Sequence, residues 1–151
     1  MKELETILKT NTNLPLSRKT VINISYTGIW LKDEILSALK PYDLSIEQFN
    51  VLRILRGKKG EAANLQEVQE RMINKMSNTT RLVDKLILKG LVKRFICKKN
   101  RRKVDIYITE RGMELLSEID PIIDTSEDNL CSNLSKTELE NLNQLLTKLR
   151  K

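Results

Sequence analysis

The feature of this sequence that most constrains its fold is a change in the spacing of apolar residues at Gly90. Before Gly90, residues 65–72 and 75–89 carry apolar side chains at helical spacing, and Gly90 itself is a typical helix-ending residue. After it, residues 91–97 and 104–109 are β-prone and alternate apolar with other side chains, which predicts a hairpin. Two helices joined by a short turn and followed by a hairpin are the element order of a winged helix-turn-helix.

Cap residues mark where several of the predicted helices begin. Asn64 precedes the first helix of the pair. Ser45 with Gln48, and Ser135 with Glu138, have the spacing of a capping box, in which two side chains satisfy each other's backbone donors. These caps predict one helix ahead of the pair and one near the C-terminus.

Longer helices are predicted on both sides of this unit. Residues 18–40 have helical spacing up to Pro41, and residues 113–130 have it around Pro121, which should kink or break that helix. We therefore expect a fold that is mainly α with a small β-hairpin wing: a winged helix-turn-helix with additional N- and C-terminal helices.

Positive charge is concentrated in the same region. Residues 53–103 hold 16 Lys and Arg against 4 Asp and Glu, a local charge of +12 in a chain whose total is +7. Residues 89–103 carry eight basic residues and no acidic one. A run of charge is often only a solvated face, but cations at this density repel one another unless an anion is nearby, and nucleic-acid phosphate is the natural partner.

The composition argues against catalysis. The chain has no His, which removes the commonest general base, the Ser-His-Asp arrangement and most zinc sites. Two cysteines, Cys97 and Cys131, are too few for a disulfide scaffold. No apolar run approaches the ~18 residues of a membrane span, and the first residues lack the apolar stretch of a signal peptide. We expect a cytoplasmic protein that is not an enzyme and needs no cofactor or metal.

The predicted helix at residues 75–89 is polar in its N-terminal half and apolar in its C-terminal half. A helix that enters the DNA major groove, about 12 Å wide, needs small or polar residues at its start to read base edges. We therefore expect DNA contacts from this helix and from the cationic hairpin tip; Arg81 has the alternative of packing against a neighbouring helix. The expected contact residues are Lys75, Ser77, Asn78, Thr79 and Arg81 of the helix, and Lys98, Lys99, Arg101, Arg102 and Lys103 of the hairpin.

Several short motifs lie in this order along the chain: Leu44-Ser45 with Gln48-Phe49, then Thr80-Arg81-Leu82-Val83-Asp84, Gly90-Leu91-Val92, Asn100-Arg101-Arg102, and Ile108-Thr109-Glu110-Arg111-Gly112. Together they resemble the MarR family of bacterial transcriptional regulators. The sequence departs from the family pattern at Asn100, where Asp is usual, and at Ile73-Asn74, where Gly and an apolar residue are common. The resemblance implies a regulator, acting as a repressor, that binds a palindromic double-stranded DNA operator and places Arg102 in the minor groove.

The resemblance also implies how the chain is divided. Residues 1–43 and 111–151 would form a homodimer, and residues 44–110 would bind DNA. A leucine stripe at Leu139, Leu142, Leu146 and Leu149 fits this division, because little of one chain remains to cover it.

Family members commonly bind a small aromatic or anionic effector between these parts. Tyr26, Trp30 and Phe49 are candidates for such a pocket, with core packing as their alternative role. Two other functions remain open: an oxidant-sensing regulator that acts through Cys97, and a winged helix that binds RNA or a partner protein.

Overall fold

The computed structural model describes residues 4–10, 14–97, 100 and 103–151. Four of the residues expected to contact DNA, Lys98, Lys99, Arg101 and Arg102, lie outside the described residues.

The described chain is mainly helical and has one two-stranded antiparallel sheet. A short 3-10 turn, Lys40–Tyr42, follows the second helix. The helices are α1 (Leu4–Ile7), α2 (Leu16–Leu39), α3 (Ile46–Arg56), α4 (Leu65–Arg71), α5 (Thr79–Leu88), α6 (Glu110–Cys131) and α7 (Lys136–Leu149), and the strands are β1 (Val92–Ile96) and β2 (Val104–Ile108). The expected fold class, a mainly helical winged helix-turn-helix with terminal helices, is confirmed.

The hydrophobic core lies where α3, α4, α5, the hairpin and α6 meet. Leu52, Val68, Val83, Ile106 and Leu116 contribute one fully buried side chain from each of these elements. Burial of this apolar surface is the main force that holds α4 and α5 in a fixed relation to the hairpin.

The predicted caps are present, and they explain where the helices begin. The Ser45 hydroxyl accepts the Gln48 N–H at 3.1 Å, and Gln48 Oε1 accepts the Ser45 N–H at 3.1 Å. Asn64 caps α4 in the same way with Glu67, and α7 begins with a third capping box at Ser135. The Asn64 N–H donates to the Glu67 carboxylate and lowers the pKa of that carboxyl below its ordinary value.

Glycines join α5 and α6 to the hairpin. Gly90 has a φ of 71°, and its N–H donates to Ile87 O at 2.9 Å, while the Leu91 N–H donates to Leu86 O at 3.0 Å. These two bonds form a Schellman motif, which ends α5 and turns the chain into β1. Gly112 is buried against the hairpin, and a Cβ there would lie 2.7 Å from the Ile108 side chain. Only glycine therefore permits α6 to pack this closely on the base of the wing.

The hairpin predicted from residues 91–97 and 104–109 is present, with β1 and β2 paired antiparallel. Val92 pairs with Ile108 at its base and Ile96 pairs with Val104 near its tip. The Cys97 N–H donates to Lys103 O at 3.0 Å and continues the ladder by one bond. Midway along β2, Ala63 forms a further bridge to Ile106, so the loop before α4 is joined to β2.

Pro121 neither breaks nor ends the C-terminal helix. The structure has one continuous helix, α6, through Pro121 to Cys131, so the expectation of a break was wrong. Leu116, Ile119 and Ile123 on either side of the proline are buried in the core, and their packing offsets the loss of one backbone hydrogen bond.

The terminal helices leave apolar surface uncovered. On α2, Val21, Ile29 and Trp30 are exposed, and α7 has no buried residue. Within the predicted leucine stripe, Leu139 and Leu146 are half-buried, whereas Leu142 and Leu149 are exposed.

No helix in the described part of the chain is both long and apolar enough to cross a membrane.

Candidate nucleic-acid interface

The segment between α4 and α5, residues 72–78, is held in place by side chains of its neighbours; we call it the α4–α5 turn. The Ile73 N–H donates to Asn50 Oδ1 on α3 at 3.0 Å. Inside the turn, the Met76 N–H donates to Asn74 Oδ1 at 3.1 Å, and the Ser77 N–H donates to Asn74 O at 3.2 Å. The turn therefore has a defined conformation set by hydrogen bonds from α3 and from its own backbone.

Gln69 of α4 connects the α4–α5 turn to the start of α5. Its Nε2 donates to Lys75 O at 2.7 Å, and its Oε1 accepts a hydrogen bond from the Thr79 hydroxyl. One amide thus positions both the turn and the first residue of α5. Sequence reasoning missed this residue, because a Gln on a short helix gives no local signal of a partner ten residues away.

Asn78 is the N-cap of α5, and its Oδ1 accepts the Arg81 N–H at 3.0 Å. The expectation that this helix begins at Lys75 or Met76 was wrong, since α5 begins at Thr79. Asn competes well for the cap position because its side-chain oxygen satisfies a donor that the helix leaves unpaired. Asn78 is exposed, and its Nδ2 makes no hydrogen bond to another described residue.

Thr79 does not face the solvent. It is only 6% exposed and its hydroxyl donates to Gln69, so the expectation of a direct DNA contact at Thr79 is corrected to a positioning role. Residue type suggested a polar contact, but the first turn of α5 points this side chain toward α4.

The other residues that were expected to contact DNA from this segment lie in the α4–α5 turn and the first turn of α5. Asn78 and Arg81 are exposed, and Ser77 is half-buried with a hydroxyl that has no hydrogen-bond partner among the described residues. The Lys75 ammonium donates to Glu70 O at the end of α4, and this side chain is exposed. A shallow hollow of about 350 Å³ opens here, lined by Glu47, Asn74, Ser77, Asn78, Arg81, Leu82 and Lys85.

The described part of the wing adds positive charge beside this surface. Lys103 is exposed, and its N–H donates to Asn100 O at 2.8 Å at the end of the hairpin. Lys93 lies 6.0 Å from the Tyr107 ring centre, within the range of a cation–π contact. Arg94 instead pairs with Asp84 of α5 at 2.8 Å, which joins the wing to the recognition helix.

Cys97 lies half-buried where β1 ends, and Cys131 is exposed at the end of α6. Within the described residues, there is no group of three or more His, Cys, Asp or Glu side chains that could hold a metal ion.

A second concave surface lies between α2, α3 and α5, and we call it the α2–α5 cleft. It has a volume of about 790 Å³. At its edge, Lys89 Nζ lies 2.9 Å from Asp43 Oδ2, and this hydrogen bond lowers the pKa of the Asp43 carboxyl. The cleft is lined by Leu36, Lys40, Asp43, Leu44, Ser45, Gln48, Leu82, Lys85, Leu88 and Lys89.

The three residues expected to form a ligand pocket do not line this cleft. Phe49 is buried in the core, and Arg53 lies over its ring at 5.6 Å from the centre. Tyr26 and Trp30 are exposed on α2. The expectation that Phe49 shares a pocket with Tyr26 and Trp30 is corrected. The Phe49 side chain on α3 points into the core, whereas Tyr26 and Trp30 are exposed on α2.

Residues 44–104 match the sequence model of the MarR family. A MarR-like transcription regulator of Bacillus cereus ATCC 10987 is 25% identical with a TM-score of 0.80, and the match covers 89% of this chain and 95% of that one. Two further solved structures share the fold. A mutant MarR of E. coli complexed with operator DNA is 23% identical with a TM-score of 0.77, over 98% of this chain and 99% of that one. An organohalide-sensing transcriptional regulator in its 2,4-dichlorophenol-bound form is 20% identical with a TM-score of 0.83, over 91% of this chain and 81% of that one.

The matched residues 44–104 contain α3, the helix pair, β1 and the first residue of β2, and the likeness in structure extends over the terminal helices as well. This protein therefore carries a MarR-family domain at residues 44–104, and it shares the fold of a MarR-like transcription regulator over most of its length.

Proposed function

We propose that this protein is a ligand-responsive repressor that binds a palindromic double-stranded DNA operator as a homodimer. The observation that carries the proposal is the surface at the start of α5, where Asn78 and Arg81 are exposed on a helix end fixed by Gln69. Short amide and guanidinium groups at that position suit the edges of adenine and guanine. The operator complex of the E. coli protein with the same fold supports this choice.

In this proposal, the DNA-contacting residues fall into two groups. Ser77, Asn78 and Arg81 face the bases in the major groove, with Lys75 near a phosphate. The wing supplies further cations to the backbone, with Arg102 in the minor groove, where a narrow groove has enhanced negative potential. The wing residues of this set are Lys98, Lys99, Arg101, Arg102 and Lys103.

The homodimer is supported by the apolar surface of the terminal helices. Val21 and Ile29 of α2, and Leu142 and Leu149 of α7, are exposed in one chain. A second copy that covered these side chains would remove their apolar surface from water, a gain of ~25 cal/mol for each Å². We therefore propose that residues 1–43 and 111–151 form the dimer and that residues 44–110 form the DNA-binding part.

The α2–α5 cleft suits a small-molecule effector better than the pocket expected from Tyr26, Trp30 and Phe49. Lys40, Lys85 and Lys89 supply positive charge, while Leu36 and Leu88 supply apolar surface, and this combination suits a small aromatic anion. The bound 2,4-dichlorophenol of the organohalide-sensing protein is a small aromatic molecule held by a protein of the same fold. Tyr26 and Trp30 remain candidates for a part of the pocket completed by the second copy. A regulator of this kind acts in the cytoplasm and catalyses no reaction.

Selection of bound duplexes from a random pool tests the proposal, followed by footprinting on the DNA upstream of the protein's own gene. We expect the enriched duplexes to contain an inverted repeat with half-site centres about one helical turn apart, 10–10.5 base pairs. Recovery of no enriched sequence would contradict sequence-specific binding, and enrichment of a single unrepeated half-site would contradict the dimeric mode.

A further inference from the structure

Two large apolar side chains stand out in solvent on the α4–α5 turn. Ile73 is 85% exposed and Met76 is 91% exposed, so neither contributes to the core. Single exposed apolar residues are common on proteins and need no explanation by themselves. What separates these two from ordinary surface residues is that their backbone is fixed and that their surroundings are cationic.

The backbone of both residues is held by hydrogen bonds from side chains. The Ile73 N–H donates to Asn50 on α3, and the Met76 N–H donates to Asn74. The adjoining Lys75 carbonyl accepts from Gln69. Both Cα–Cβ directions are therefore set in advance, and a contact made by either side chain would lose little backbone entropy.

The neighbours of these side chains identify the class of partner. Arg71, Lys75 and Arg81 are exposed around the turn. Lys75 and Arg81 form no ion pair with a described carboxylate, and Arg71 lies near Glu67, whose pKa it helps to lower. Apolar groups inside a cationic surface match a partner that is polyanionic and carries apolar atoms. Duplex DNA has this chemistry, because the major groove exposes the C5-methyl group of thymine between two rows of phosphates.

Position along the chain favours the same partner. Met76 lies two residues before the N-cap Asn78, and Ile73 lies three residues before Met76. In a helix-turn-helix the start of the recognition helix lies in the major groove, and the turn before it lies beside the bases or the groove wall. A methyl-reading residue here would act next to the polar contacts of Asn78 and Arg81.

We propose that Ile73 and Met76 are specificity-determining residues that contact thymine methyl groups in the major groove. The operator then carries a preference for A·T pairs beside the bases contacted by the start of α5, with thymine on the strand nearer the turn. This inference rests on the proposed function and adds to it a base preference that polar contacts alone do not supply.

The test uses the duplex recovered by selection from a random pool. Each thymine of one half-site is replaced in turn by deoxyuridine, which pairs identically and lacks only the methyl group. We expect at least one position at which wild-type affinity falls roughly fourfold, the effect of losing contact with one methyl-sized apolar group. Met76→Ser and Ile73→Ser should each abolish the preference for thymine at the position that the replaced side chain contacts, because the apolar partner of that methyl group is gone, and should retain it at the position contacted by the other residue.

Lys75→Gln is the matched control on the same turn. It removes a charge and should weaken binding to the thymine and deoxyuridine duplexes by the same factor, with a shallower dependence on salt. Both serine variants change side chains that are almost fully exposed, so their thermal unfolding should match the wild type.

Two outcomes overturn the inference while leaving the proposed function intact: wild-type protein that binds every deoxyuridine duplex as tightly as the parent, or serine variants that retain the full preference for thymine. A protein that enriches no duplex overturns the proposed function, and the inference is lost with it.

Discussion

Asn78 gives the sharpest test of the proposed interface, because one of its side-chain atoms caps α5 and the other has no partner among the described residues. Its Oδ1 caps α5 by accepting the Arg81 N–H, while its Nδ2 makes no hydrogen bond to another described residue. Two substitutions separate these tasks. Asn78→Ser keeps a capping oxygen and removes the amide donor, and Asn78→Ala removes both.

The expected magnitudes follow from the two kinds of hydrogen bond. Loss of an N-cap costs about 1 kcal/mol of unfolding free energy, whereas Ser in place of Asn is nearly neutral. An Asn that pairs bidentately with adenine would contribute ~1–3 kcal/mol of base discrimination. Because Oδ1 already accepts the Arg81 N–H, we expect the lower part of that range, about 1 kcal/mol or fivefold in affinity for each half-site.

The assay combines urea unfolding with titration against the operator and a random duplex at two salt concentrations. Asn78→Ser should unfold like the wild type, lose operator affinity and retain its affinity for the random duplex. Asn78→Ala should lose operator affinity and also about 1 kcal/mol of stability. Asn64→Ala is the matched control: it removes a cap of the same residue type from α4, so it should lower stability without a selective loss of operator binding.

Two results would refute this reasoning. If Asn78→Ser binds the operator as tightly as the wild type, the amide does not contact a base. If Asn78→Ser is as unstable as Asn78→Ala, the hydroxyl does not replace the cap, and the conformation described for the start of α5 is not the one that sets its stability.

Three further predictions concern assembly, charge and pH. Leu142→Glu combined with Leu146→Glu should give monomer or insoluble chain in light scattering, and a wild type that is monomeric at micromolar concentration would contradict the proposed dimer. Arg102→Ala should weaken binding to operator and random duplex alike, with the salt slope of log affinity shallower by about one unit, and an unchanged slope would place Arg102 away from the phosphates. The pKa of Glu67 is lowered in the folded state, so its carboxylate adds stability above the ordinary value of 4.5, and that contribution is lost as the pH falls through the folded pKa. Glu67→Gln should therefore flatten the loss of urea resistance below pH 4.5, and an equally steep loss would show that other carboxylates cause it.

Local signals were sufficient for most of the fold. The capping boxes at Ser45 and Ser135, the cap at Asn64 and the helix end at Gly90 each depend on hydrogen bonds that span at most five positions along the chain. Hydrogen bonds at this range are determined by residue type and spacing, so they can be predicted without knowledge of the tertiary structure.

The start of the recognition helix was misplaced because its conformation depends on distant residues. The sequence of the α4–α5 turn contains residues that helices tolerate, and nothing nearby forbids a helix from Lys75 onward. The turn is instead held at Ile73 by Asn50, 23 residues away, and the start of α5 is held at Thr79 by Gln69, ten residues away. Contacts at these separations form only when α3, α4 and α5 have packed together.

Burial explains why the expectations for two site residues, Thr79 and Phe49, had to be corrected. Thr79 and Phe49 were chosen because their residue types suit DNA contact and aromatic ligand binding, and both proved to be buried. A polar or aromatic residue near a predicted site faces it only if the helix phase permits. Thr79 lies four residues before Val83 and seven before Leu86, so it shares their buried face of α5.

The apolar faces of the terminal helices are not explained by the contacts within one chain. α7 has no buried residue. Its exposed leucines Leu142, Leu145 and Leu149 repeat at helical spacing, so they lie on an apolar face that could pack against another helix. Propensity and a capping box account for the formation of α7, but isolated helices of this length are marginal in water unless an apolar face is covered. The exposed side chains of α2, among them Val21 and Ile29, have the same deficit. Both helices lie outside the residues that match the family model, so the largest uncovered apolar surface belongs to the part of the chain that the family motifs do not describe.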